Sequence, residues 1–236
     1  MAGTVGVSPG TYTFQLPTGQ VLSIEDWIDD KLYSTVQLSN GQNNQVEAFT
    51  IGRGMQISGG QRTTAKIDTN VPRAGDSGLP LAWEMFIYGL GMNITRVCRP
   101  QTGATQPVLG DGTGALSDPP TLATLFGIDR ITYMSFFYNT RTYTEGVLQD
   151  YPAGHGFSVF STNPAFELAQ NGVPSPRDRN ALVLPIWLRE QIVYKVIVAP
   201  EAPLVISQAA SDGSTALTFA DLKVYAYGMI KRSAGL

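Results

Sequence analysis

The chain contains one cysteine, Cys98, one histidine, His155, and little charge of either sign. A lone cysteine excludes an intrachain disulfide, so the fold must rest on packing. Cys98 ends the strand pattern 92–98 with Met92, Ile94 and Val97 as its apolar members, a setting for a buried, inert thiol. Charged residues make up 15% of the chain, against roughly 25% in ordinary soluble domains. Net charge is −3, no basic run occurs, and residues 1–22 carry no charged side chain at all. The clustered Lys/Arg footprint of a nucleic-acid binder is therefore missing, and no direct sequence-specific binding of nucleic acid is expected. No apolar run reaches the roughly 18 residues of a membrane-spanning helix. The opening MAGTVGVSPG lacks the basic-then-apolar pattern of a secretory leader. Few charges mean little solvated surface, which favours a subunit that hides surface against other copies.

Catalytic constellations are scarce too. His155 stands between Gly154 and Gly156, open to a role as base or ligand, but an imidazole-built metal centre usually needs two or three histidines. A Ser-His-Asp triad would have to use His155, and the Gly-x-Ser-x-Gly match at Gly6–Gly10 runs into the strand pattern at 11–16 where a nucleophile elbow needs a helix. The carboxylates Glu25-Asp26 and Asp29-Asp30 read as the solvated side of a short helix. The stretch Gly110-Asp111-Gly112-Thr113-Gly114 lacks the lysine of a phosphate loop and the alternating acids of an EF-hand. Asn93-Ile94-Thr95 matches a glycosylation sequon but falls inside a strand pattern. A non-catalytic protein is expected, with no cofactor and no metal.

What the sequence does have is strand patterning. Residues 11–16 alternate Tyr12, Phe14 and Leu16 with Thr11, Thr13 and Gln15, the period of a half-buried strand. Further strands are expected at 33–38, 46–51, 63–69, 83–90, 92–98, 130–138, 142–148, 156–160, 181–188, 191–199, 204–208 and 222–231. Turn signals such as Asn40-Gly41, Gly59-Gly60 and Asp212-Gly213 separate them. Two short helices are expected. One spans 23–31, with Ser23 as cap and Ile24, Trp27, Ile28 and Leu32 on one face. The other, at 122–126, follows Pro119-Pro120. Residues 109–120 and 171–180 read as long loops, and residues 1–10 as a flexible N-terminal segment. Many short strands with turns at this spacing make the fold all-β, an antiparallel β-sandwich in a single domain over residues 1–236.

Two segments are apolar on both faces, where a sandwich strand normally keeps one wet face. In 131–138 both rows are largely apolar or aromatic, and Phe136 and Tyr138 are candidate contacts between subunits. In 222–231, Leu222, Val224, Ala226 and Ile230 face the core. Tyr225, Tyr227 and Met229 line the opposite face between Lys223 and Lys231. Aromatics and methionine on a supposed wet face are what protein interfaces favour. Either a neighbouring copy or another layer of the same chain covers such a face.

Residues 66–70 (Lys-Ile-Asp-Thr-Asn) and 78–85 (Gly-Leu-Pro-Leu-Ala-Trp-Glu-Met) form a strand end, a Gly-Leu-Pro corner and a long apolar strand. Residues 184–205 and 223–232 form the closing strands. Together these stretches resemble jelly-roll capsid proteins, the virion structural proteins of tailless bacteriophages. The match extends over residues 63–98 and 181–233. The resemblance implies a viral jelly roll, either one roll with extra strands or a compact double roll. It also implies a capsid subunit that forms trimers or pentamers and tiles an icosahedral shell. The partners would be other copies of the chain, other capsid proteins of the virion and, in some relatives, an internal membrane. The protein would be made in the host cytoplasm and reside in the virion. The competing reading is a carbohydrate- or receptor-binding sandwich using Trp27, Trp83 and Trp187.

Overall fold

The computed structural model describes residues 5–8, 11–15, 19, 21–23, 27–41, 43–60, 62–72, 78–98, 122–153, 158–163, 166–170, 180–206 and 219–232. A small meander opens the chain: β1 (Val5–Ser8), β2 (Thr11–Gln15) and β3 (Val21–Ser23). There follow β4 (Trp27–Ser39), β5 (Val46–Ala48), β6 (Glu84–Cys98), α1 (Leu122–Ile131), β7 (Thr132–Tyr138) and β8 (Arg141–Val147). A separate hairpin, β9 (Ser158–Asn163) with β10 (Phe166–Gln170), precedes β11 (Asn180–Leu188), β12 (Tyr194–Pro200) and β13 (Phe219–Lys231).

Eight of these strands build two four-stranded antiparallel sheets, in the orders β11-β6-β13-β4 and β5-β12-β7-β8. The pairing is nested. β7 pairs with β8, β6 with β11, β5 with β12, and β4 with β13. The chain thus runs as one long doubled ribbon, wound so that successive rungs fall in alternate sheets. Its innermost turn is at Asn139, whose φ of 57° lies in the left-handed region that Asn tolerates.

Period-2 alternation decides which side chains fill the space between the sheets. From the first sheet come Val36, Met85, Ile87, Leu90, Leu222, Val224 and Ile230, and from the second Met134, Phe136, Val196 and Val198, all wholly buried in one cluster. At about 1.5–3 kcal/mol for each large apolar side chain removed from water, this layer is the main source of stability. The sandwich expected from the sequence is the observed fold, and the inward row Leu222, Val224, Ala226 and Ile230 faces the core as read.

Several elements differ from expectation. The helix expected at 23–31 is not formed. Ser23 ends β3, residues 24–26 lie outside the described residues, and residues 27–31 open β4. Here Ile28 and Leu32 satisfy a helical spacing, but residues 27–39 instead pair rung for rung with β13, and thirteen cross-strand partners outweigh local propensity. Residues 63–69 form bridges and turns, with Thr63 and Thr69 in isolated bridges. The two strands expected at 83–90 and 92–98 are one continuous β6, and the helix expected at 122–126 continues to Ile131. Residues 5–8, inside the segment read as flexible, pair with β2. The loop at 109–120, the loop residues 171–179, and His155 lie outside the described residues.

Candidate interaction face

The outward face of the sheet β11-β6-β13-β4 gathers aromatic and cationic side chains in two groups. Residues of odd number on β13 point outward because their even neighbours point into the core. Tyr225 and Tyr227 lie stacked along the strand, 5.7 Å between centroids and 13° between planes. Tyr33, paired with Tyr225 across β4, adds a third ring at 6.5 Å. The Lys223 ammonium lies 4.7 Å from the Tyr33 centroid and 5.9 Å from that of Tyr225, and the Lys31 ammonium lies 5.5 Å from Tyr225. These distances are those of cation–π attraction. Burial, with the neighbouring Tyr227 and Tyr33 phenols, pushes the Tyr225 hydroxyl up to about 12. Tyr33 is raised by burial and then by Asp30 and Asp68, while its hydroxyl donates to the Lys66 carbonyl at 2.7 Å.

Tyr227 is seated by its own chain. It pairs with Gly89, next to Tyr225 opposite Gly91. A side-chain carbon on Gly91 would lie 3.1 Å from both the Tyr227 ring and the Ala153 backbone, so the absence of a side chain there makes room for the ring. The Tyr227 hydroxyl donates to the Ala153 carbonyl at 3.2 Å, and only 6% of the residue is exposed.

A second aromatic group occupies the opposite end of this face. Trp187 of β11 stacks on Phe86 of β6 at 5.2 Å, and Trp27 of β4 reaches the same Phe86 at 5.1 Å. The Arg189 guanidinium lies 4.4 Å from the Trp187 ring, whose indole N–H donates to Glu84 Oε2 at 3.1 Å. Arg232 lies 5.1 Å from the Trp83 ring and pairs with Asp30. The Tyr88 hydroxyl bonds Asp29 Oδ1 at 2.6 Å.

At the tyrosine end the face closes over a buried charge cluster. Arg62 grips Asp68 with both Nη atoms, at 2.7 and 2.8 Å, and Nη2 also reaches Asp221 Oδ2 at 2.8 Å. Gln37 Nε2 donates to the other Asp221 oxygen at 2.8 Å. Asp221 is 0% exposed and Asp68 2%. Fork-to-carboxylate bonding of this kind is what makes a buried charge tolerable.

Three of the five interface residues expected from the sequence, Tyr225, Tyr227 and Met229, therefore share one outward face. Phe136 and Tyr138 belong to the other sheet. Phe136 points inward and is 0% exposed within the sandwich core. Tyr138 is half-buried at the end of β7, where its hydroxyl accepts the Arg189 N–H at 3.0 Å and its ring meets Tyr143 at 5.9 Å. Sequence reading missed Tyr33, Lys31 and Phe86 because their partners are cross-strand neighbours, not chain neighbours. The alternation Lys223-x-Tyr225-x-Tyr227 was the available sign of the face. The three tryptophans named for the sugar- or receptor-binding reading do not lie wholly buried between the sheets. All three are half-buried, and Trp83 also packs against the core. No protein-family model, no curated protein and no solved structure matches this chain.

Proposed function

We propose that the chain is a coat subunit of a virus particle, a jelly roll that associates with copies of itself and with other capsid proteins into an icosahedral shell. The carrying observation is the outward face of β4 and β13, where the half-buried Tyr33, Tyr225, Trp27 and Met229 take positions a solitary sandwich would give to solvated polar groups. The nested pairing of eight strands supports one roll with additional strands over a double roll. Capsid, lectin and cupin domains all use such rolls, so the surface must discriminate between them.

That surface favours protein contacts over sugars. A sugar platform needs an open ring face, whereas Trp187 is engaged by Phe86 and Arg189, and Trp83 by Arg232. Coat function on this reading is mechanical, with many modest aromatic and aliphatic contacts repeated by symmetry. Light scattering coupled to size-exclusion chromatography, with electron microscopy of any large species, tests it. A trimer, pentamer or closed particle supports the coat subunit. A strict monomer at high concentration overturns it.

A further inference from the structure

Between β5 and β6 the chain leaves the sandwich, and residues 53–60 and 62–71 form a strap along the free edge of β4. The strap folds largely upon itself. Gly54 N–H bonds Thr64 O, Thr64 N–H bonds Met55 O, and Ile57 N–H bonds Arg62 O, with a Gln56–Thr63 bridge between them. It meets β4 as a strand would. Gln37 N–H donates to Ser58 O at 2.8 Å, Asn70 N–H donates to Tyr33 O at 3.2 Å, and Thr69 bridges Ser34. The Asn70 side-chain amide stands in for one more peptide unit. Its Oδ1 accepts the Tyr33 N–H and its Nδ2 donates to Lys31 O, both at 2.7 Å.

The seating of the strap is specific and mostly polar. Its tip, Gly59-Gly60, fits so closely that a side-chain carbon at either position would come within 2.1 Å of a Gln37 oxygen. Only Ile57 and Val71 among its described residues are buried apolar side chains, while Met55 and Ile67 stand exposed. The latch is Arg62, which spans from the strap to Asp221 of β13. The chain enters this region through Phe49, a buried ring held at φ 69°, a conformation costly for a bulky residue.

We propose that this strap is exchangeable, and that two copies of the chain pair by each laying its strap on the other's β4 edge. A self-folded element attached through a few polar keys makes the same contacts on either copy, so exchange forfeits no bond once both straps are seated. The partner is a second copy because the edge is cut to this strap: the Gly59-Gly60 tip, the Asn70 amide and the Arg62 fork each find a specific complement on β4 or β13. The inference stands apart from the coat reading, since a strap-exchanged pair can form without a shell.

The wild-type protein supplies the test. Equal amounts of isotopically heavy and light protein are mixed at high concentration in urea just below the unfolding transition, returned to buffer, and treated with an amine-reactive cross-linker. Links between Lys66 of the strap and Lys31 or Lys223 of its cradle are then read by mass spectrometry. Exchange places heavy with light in up to about half of these links in the dimer fraction. Links confined to heavy–heavy and light–light pairs, or the lack of any dimer, overturn it. Hydrogen exchange on the monomer is the second measurement. The strap amides should exchange together, about tenfold or more faster than those of β13. Protection equal to that of β13 overturns a strap that opens as a unit.

Discussion

The two faces of β13 are both largely shielded from water, by opposite means. Inward, Leu222, Val224, Ala226 and Ile230 meet an apolar sheet and need only shape. Outward, Asp221, Tyr225 and Tyr227 are covered by an arginine fork, by other tyrosines and by segments of the same chain. The inner face can be repacked by any apolar set of similar volume. The outer face holds only while every polar partner is present, because a buried charge or hydroxyl left alone costs more than its bond contributes. Dryness can thus be specified by pattern on one face and must be specified by partners on the other.

The largest effect is expected in the apolar sheet that the inner face packs against. Phe136→Ala should lower unfolding stability by about 3–5 kcal/mol through lost burial and an unfilled cavity, read as a lower urea midpoint with little change in slope. On the outer face, Arg62→Ala should cost about 2–4 kcal/mol by leaving Asp68 and Asp221 without their shared cation. The comparison sharpens with the triple variant Arg62→Met, Asp68→Asn, Asp221→Asn, which should recover most of that loss. A triple variant as unstable as Arg62→Ala would mean that shape, not charge, holds this face. Tyr227→Phe removes only the bond to the Ala153 carbonyl and should cost about 1 kcal/mol, measured by the same denaturation.

The smallest effect is a titration. The folded state raises Tyr225 to about 12, against about 10 in an unfolded chain. Its neutral form is the one favoured by folding, so this contribution is complete below about pH 10 and is lost as pH rises toward 12. Ultraviolet titration of the phenols should show a late-ionising component that Tyr225→Phe removes. A late component that survives this substitution would assign it to another tyrosine, such as the buried Tyr194, which is also raised by desolvation.

How much was legible in the sequence follows from the same contrast. Alternation exposed the inner row of β13 correctly, since burial between sheets leaves a period in the chain itself. It also flagged Tyr225, Tyr227 and Met229 as an outward row. It could not show what covers that row, because Arg62 and Asp221 are 159 residues apart and carry no local signature. The helix misread at 23–31 has a similar origin. The spacing of Trp27, Ile28 and Leu32 suits a helix, and only the distant β13 makes it a strand. Residues 63–69 looked extended because Thr and Ile are strand formers, yet Asp68 turns its carboxylate back to the Ala65 N–H at 2.8 Å and ends any strand there.

The nested ribbon also sets a timetable. β13 is the centre of its sheet, yet it follows both of its neighbours in the chain, and Gln37 and Asp221 meet across 184 residues. A ribosome releases β4 and β6 long before the strand that must lie between them. Until then β4 has no partner in its own sheet, and β6 has only the edge strand β11. Such late, long-range closure makes folding slow and the waiting chain prone to association. Synthesis of this protein should therefore depend strongly on holding factors that shield β4 and β6 until β13 emerges.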